Sequence, residues 1–211
     1  MRIRIKGKNR LNVFNGQVKG KNELDGIYSQ NRKSDETRFL FPIRRRAFML
    51  IRQLLPSDTE IYRNLMQGGL LEHPEEFRIS PDDPGEPLIP FISPSPNSFT
   101  LGAFLDDGSL VGTVSFRREP QLKLHHKGLM YRMYVPVAYG GRGFGRALIR
   151  EMILLVRQME GLEQINLTVV ATNKRAKELY LSDGFLAFAF EPKGLKINGR
   201  YFDEEQMALL L

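Results

Sequence analysis

The strongest constraint in this chain is a run of four glycines in six residues, set between a strand-like and a helix-like segment: Val135-Pro136-Val137-Ala138-Tyr139-Gly140-Gly141-Arg142-Gly143-Phe144-Gly145-Arg146. Upstream, Lys127 to Val135 reads as a β-strand. Downstream, Leu148, Met152, Leu155, Val156 and Met159 recur at three- and four-residue steps, which predicts a helix over Gly143–Glu160. Glycine has no Cβ, so backbone N–H groups can approach a ligand closely. At a helix start those groups lack intrahelical partners and sit at the positive end of the dipole. A turn of this kind suits a diphosphate, and Arg142 and Arg146 could add charge. A Walker A loop would need Gly-Lys-Ser/Thr, which is absent. A Rossmann fingerprint would need G-x-G-x-x-G; Gly141, Gly143 and Gly145 are spaced G-x-G-x-G and lie far from the N-terminal strand. A tight strand-to-helix turn without a ligand is the plain alternative.

The rest of the chain frames this turn. Phe48 to Leu54 reads as a strand, and Pro56-Ser57-Asp58 as a turn and helix start. Ile61 and Leu65 give helical spacing, with Gly68-Gly69 expected to end or kink that helix. Six of the 12 prolines fall at positions 81, 84, 87, 90, 94 and 96, so a long helix is not expected there. Phe99–Leu105 and Leu110–Arg117 read as strands of a hairpin turning at Asp106-Asp107-Gly108-Ser109. Ile165–Val170 is a strand, Asn173–Ser182 a short helix closed by Gly184, and Phe185–Phe190 and Gln206–Leu211 are closing strands. The order predicts a mixed α/β domain.

Composition narrows the chemistry. The 211 residues contain no cysteine, which excludes a disulfide scaffold, a thiolate metal site and a cysteine nucleophile. Three histidines without H-x-x-x-H spacing give no expectation of a bound metal. The longest apolar run, Phe185–Phe190, is far short of the roughly 20 residues of a membrane span. Met1-Arg2-Ile3-Arg4-Ile5-Lys6 lacks the apolar core of a secretory signal, so a cytoplasmic setting is expected. The net charge of +7 is unevenly placed: residues 1–46 hold 13 Lys and Arg against 4 Asp and Glu, while residues 47–211 hold 18 against 20. The expectation is a basic, poorly ordered extension over 1–46, with a possible short strand near Arg2–Lys6, and a globular domain over 47–211. A nearly neutral body gives no expectation of nucleic-acid binding.

A second pattern lies about thirty residues beyond the glycines. In Asn173-Lys174-Arg175-Ala176-Lys177-Glu178-Leu179-Tyr180-Leu181-Ser182-Asp183-Gly184-Phe185, Ala176, Leu179 and Tyr180 share one helical face. Taken together, the two patterns resemble the GNAT superfamily of N-acetyltransferases over residues 47–211. The glycine turn is similar to that family's Q/R-x-x-G-x-G/A signature. The later stretch is similar to its N-x-x-A-x-x-L-Y-x-x-x-G-F signature, matched at Asn173, Ala176, Leu179, Tyr180, Gly184 and Phe185. Gly140 departs, standing where the family usually has Arg or Gln.

The resemblance implies a GNAT-like, mostly antiparallel central sheet flanked by helices, and acetyl-CoA as cosubstrate. It implies that Met133, Tyr134 and Val135 pair their backbone with the pantetheine arm. Gly141, Arg142, Gly143, Phe144, Gly145 and Arg146 would hold the diphosphate, Asn173 the pantetheine region, and Tyr180 would lie near the thioester sulfur as a proton donor. The implied acceptor is a small-molecule amine or a protein or peptide amine, attacked directly; a noncatalytic acyl-CoA sensor is the alternative. A homodimer is left open. Glu72, Glu119, His125, His126 and Asp203 are base candidates by chemistry alone, the histidine pair being expected in solvent. Glu75-Glu76 and Asp203-Glu204-Glu205 are expected on solvated faces and turns.

Overall fold

A computed structural model describes residues 49–80, 82–83 and 97–211 with their side chains, and the backbone of 13–14, 17–18, 27–29, 38–43 and 47–48. Eleven strands are described: β1 (Val13–Phe14), β2 (Gln17–Val18), β3 (Ile27–Ser29), β4 (Arg38–Ile43), β5 (Ala47–Gln53), β6 (Ser98–Phe104), β7 (Leu110–Arg118), β8 (Lys127–Tyr134), β9 (Gln164–Val170), β10 (Leu186–Ile197) and β11 (Arg200–Leu210). The helices are α1 (Thr59–Glu72), α2 (Phe144–Val156) and α3 (Lys174–Ser182). The expected strand at Arg2–Lys6 and most of the proline-rich stretch lie outside the described residues.

β1 and β2 pair with each other, and the other nine strands form one sheet in the order β10-β11-β9-β8-β7-β6-β5-β4-β3. Neighbours are antiparallel except β8 and β9, which are parallel and joined through α2. A parallel pair needs a crossover of about a dozen residues or more, and the predicted central helix supplies it. The mixed, mostly antiparallel architecture is as expected.

Alternation along the strands separates two cores. Val114, Phe116 and Met130 pack with Leu148, Ile149 and Met152 of α2, whose apolar stripe is the one read from the sequence. On the other face Leu54, Phe104 and Tyr134 pack with Tyr62, Met66 and Leu70 of α1. The start of α1 is tied to the sheet by Asp58. Its carboxylate accepts from both terminal nitrogens of Arg52 (2.6 and 2.9 Å) and from the Leu55 N–H (2.7 Å). The Arg52 guanidinium holds that carboxyl below its ordinary range.

Two expectations are revised. Gly68-Gly69 neither ends nor kinks the helix, which runs on to Glu72. Gly69 instead gives the Tyr134 ring a bare backbone to lie on: a Cβ there would sit 3.0 Å from two ring carbons. The closing strands are longer than Phe185–Phe190 and Gln206–Leu211. They form a hairpin turning at Asn198-Gly199, both at positive φ (47° and 80°), as a two-residue primed turn requires. Its outer half is charged and exposed, so it lacks the apolar alternation that marks a strand.

Glu151, on the buried face of α2, is 1% exposed, and neither carboxylate oxygen has a hydrogen-bond partner among the described residues. Burial pushes its carboxyl up to about 7 from an ordinary 4.5. Between those two values the folded chain holds a proton that the unfolded chain has released. This contribution to stability is complete below pH 4.5 and declines as the pH rises toward 7, by up to about 1.4 kcal/mol per pH unit. Glu151→Gln keeps the shape and removes the titration. Its melting temperature should fall less than the wild type's across that interval; parallel curves would exclude a buried, protonated Glu151.

Candidate active site

The site begins where β8 and β9 part. They pair in register only at Lys127–Gln164, Gly128–Ile165 and Leu129–Asn166. Beyond that point β8 carries an irregularity. Thr113 pairs with Tyr134 and Ser115 with Tyr131, so β8 spends three residue steps where β7 spends two. Arg132, inside the bulge, is at φ 51°, a left-handed conformation rare for a non-glycine residue. A bulge bends its strand, and here the bend falls where β8 leaves β9. The facing backbone edges from Met130 to Tyr134 and from Leu167 to Val170 are unpaired with each other, and both line a cavity of about 900 Å³.

At one end of this cavity stands the glycine turn. Tyr139 and Gly140 donate their N–H groups within a 3₁₀ turn, to Pro136 and Val137 (2.9 Å each). The next bond is from Ala147 N–H to the Gly143 carbonyl (3.0 Å). From Gly141 to Arg146, six successive backbone N–H groups have no acceptor among the described residues. Gly141 and Gly143 are at φ 72° and 90°, and a Cβ on either would meet nothing within 4 Å. The space in front of the turn is open, as a bound anion needs. Gly140, Gly141, Gly143, Phe144, Gly145 and Arg146 line the cavity; Arg142 does not, its guanidinium lying 5.5 Å from the Tyr139 ring centre. The Arg146 guanidinium is turned toward α3, donating to Ser182 Oγ (3.1 Å) and lying 3.6 Å from Asp183.

α3 forms the opposite wall. Asn173 caps it, Oδ1 accepting from the Ala176 N–H (3.0 Å), which explains an asparagine at that position. Its oxygen is therefore committed to the helix, while its side-chain amide faces Glu76. Tyr180, about two turns on, is 7% exposed and lines the cavity. Burial, reinforced by the Glu76 charge, pushes its phenol well above the ordinary value, so the hydroxyl keeps its proton. Met133, Tyr134 and Val135 also line the cavity. Tyr134 donates to Glu72 (2.7 Å), and its phenol is likewise raised, by burial first and then by Glu72.

The base candidates lie away from the cavity. Glu72, Glu119, His125, His126 and Asp203 are all absent from its wall. Glu76 is exposed, as expected, and also lines the cavity. It sits in the short turn Pro74–Glu76 after α1, among Asn173, Arg175, His73 and Tyr180, and partial desolvation raises its carboxyl above the ordinary range. Glu204, by contrast, is not on a solvated face. It is 2% exposed and takes both Nε (2.9 Å) and a terminal nitrogen (2.7 Å) of Arg78. The sequence carried no sign of either, because both meet their partners across more than 90 residues of chain. The remaining wall holds Leu129, Ile79 and Phe77, and also Tyr131, flanked by the guanidinium groups of Arg117 and Arg132 at 5.7 and 5.6 Å.

Residues 65–185 match the acetyltransferase (GNAT) family. The chain belongs to the GNAT family. Solved structures agree with that assignment. An acetyltransferase of the GNAT family from Streptococcus pneumoniae superposes with a TM-score of 0.68 at 24% identity, covering 77% of this chain and 99% of that one. A GCN5-related N-acetyltransferase from Kribbella flavida gives 0.67 at 25%, covering 77% and 98%. YncA from Salmonella typhimurium, solved with its cofactor acetyl-CoA, gives 0.63 at 21%, covering 77% and 94%. No curated protein sequence matches the chain. Among the described residues of this GNAT protein no group of side chains could hold a metal ion, and no helix is long and apolar enough to cross a membrane.

The Arg78–Glu204 pair pins the segment after α1 to β11 and so shapes the cavity wall. Arg78→Ala leaves a buried carboxylate without its cation. It should lower stability by about 1–3 kcal/mol, the guanidinium being half exposed. Denaturant unfolding of Arg78→Ala and of Arg78→Ala/Glu204→Gln measures this; the second variant should recover most of the loss.

Proposed function

We propose that residues 47–211 form an N-acetyltransferase domain that moves an acetyl group from acetyl-CoA to an amine by direct attack, with residues 1–46 a basic extension. The observation that carries this reading is one cavity joining five of the six unengaged amide positions, an opened strand pair and a buried, protonated tyrosine.

When bound, acetyl-CoA supplies a thioester, whose acyl C–S bond is replaced by a C–N bond to the acceptor as the CoA thiol leaves. The N–H groups of Gly141 to Arg146 hold the diphosphate at the positive end of α2. The free edge of β8 at Met133, Tyr134 and Val135 holds the pantetheine arm as an added strand would be held. Asn173, whose oxygen caps α3 and whose amide faces Glu76, lies on the cavity wall along that arm. Tyr180 holds a proton at its hydroxyl for the departing sulfur, and burial keeps it there until needed. Glu76 receives the proton of the acceptor amine, which must be neutral to attack; its raised carboxyl brings it closer to the amine's own range. The acceptor enters from the side of Phe77, Ile79 and Tyr131. The phenol and the carboxylate that such a transfer uses, both on the wall of one cavity, support an enzyme over a module that only senses acyl-CoA, which needs neither. The cytoplasm is the compartment in which this chemistry finds its cosubstrate.

Release of CoA thiol, followed across an amine library, tests the activity directly; silence across primary amines of every class would overturn it. Tyr180→Phe should lower kcat by about 10–100-fold while changing acetyl-CoA affinity little. Equal turnover in both proteins would remove Tyr180 from the donor role. Glu76→Gln should lower kcat/KM at neutral pH and abolish the acid limb of its pH profile. That limb, in the wild type, should lie above the ordinary carboxylate range because desolvation raises the group. An unshifted limb surviving in Glu76→Gln would place the base elsewhere.

A further inference from the structure

The glycine turn contains two glycines that its own backbone does not require. Gly141 and Gly143 are at positive φ, where a side chain is strained; Gly140 and Gly145 are not. A Cβ on Gly145 would meet the side chains of Leu179 and Met133, at 3.2 Å each. Gly140 is at φ −61° and ψ 151°, an extended conformation open to any residue. A Cβ there would run into the Arg175 guanidinium, from the first turn of α3, whose central carbon would be 3.2 Å away, and would stand 3.0 Å from the Val137 carbonyl oxygen. The contact with the Arg175 guanidinium is the closest of these.

Three arginines stand near the turn, and the structure separates them. Arg142 lies against Tyr139 outside the cavity. Arg146 lines the cavity but is engaged by Ser182 and Asp183. Arg175 lines the cavity beside Gly140, and no hydrogen bond or ion pair to a described residue holds its guanidinium. It acts on Glu76 through charge alone. A planar guanidinium with free donors, at the entry to a turn of free amides, is built for a bidentate phosphate contact.

We infer that Arg175 is the side chain that grips the diphosphate of the coenzyme, and that residue 140 is glycine to leave it room. The guanidinium is delivered to the turn from α3 across the cleft. This rests on the acetyl-CoA reading above, and it assigns a binding residue and a coupled pair of positions that reading does not contain. A side chain at 140 would displace the flexible end of Arg175 and press on the Val137 carbonyl, and removing Arg175 relieves the closer of the two contacts, so the coupling is open to experiment.

Calorimetric titration with CoA and with dephospho-CoA, which lacks the 3′-phosphate, tests the inference. Arg175→Ala should weaken both ligands by the same factor, about 10–100-fold, the range for a charged hydrogen-bonded contact. Arg175→Lys should recover little, since an ammonium lacks the planar fork. Gly140→Arg/Arg175→Ala should regain affinity relative to Arg175→Ala. Equal CoA affinity in the wild type and Arg175→Ala overturns the assignment. A loss seen with CoA and absent with dephospho-CoA also overturns it, by moving the contact to the 3′-phosphate. Failure of the wild type to bind CoA at all overturns the acetyl-CoA reading and this inference with it.

Discussion

The parting of β8 from β9 is the feature on which the site depends. A sheet gains by pairing every backbone group it can, and this one forgoes several pairs in its middle. Three residue pairs hold the two strands together at one end, and the β8 bulge opens them at the other. The cost is met by what surrounds the gap. α2 packs on one face through Leu148, Ile149 and Met152, and α1 packs on the other through Tyr62 and Met66. Both strands are paired normally on their outer sides, β8 to β7 and β9 to β11. The opening is thus a rigid slot, with backbone donors and acceptors facing inward at fixed positions.

Chemistry then follows from which elements reach the slot. The α2 start brings amides and the α3 start brings Asn173 and Arg175, so a polyanion and its linker are met by fixed dipoles and charge. The short turn after α1 brings Glu76, and the buried face of α3 brings Tyr180. The two groups proposed to exchange protons with the substrates therefore come from segments about a hundred residues apart. Each is displaced upward from its ordinary range by the same cause, the loss of water.

The features readable in advance were those written in local chemistry. The apolar stripe of α2, the Asp-Gly hairpin between β6 and β7, the glycine turn and the Asn173 cap each depend on residues within a few positions of one another. The errors have physical reasons too. Gly68-Gly69 looks like a helix stop because glycine weakens a helix, but the Tyr134 ring packed on Gly69 offsets that loss. The β10–β11 hairpin was cut short because its outer half is exposed on both faces and shows no alternation, although Asn198-Gly199 was a usable turn signal. Glu76 is the exposed carboxylate it was read to be, but nothing near it in sequence foretells the cavity with Asn173 and Tyr180 beside it.

The amino-acid sequence alone determined where free amides would gather, which helix would present a tyrosine, and that no thiol would be available. Those properties belong to residue type and to spacings shorter than two helical turns. Only the tertiary structure decided that β8 would leave β9, that Glu76 would become the carboxylate beside Tyr180, and that the guanidinium over the glycine turn would be Arg175. Each of these depends on distances between segments up to about a hundred residues apart, which are set by how two helices and a bulged strand pack and not by any local preference.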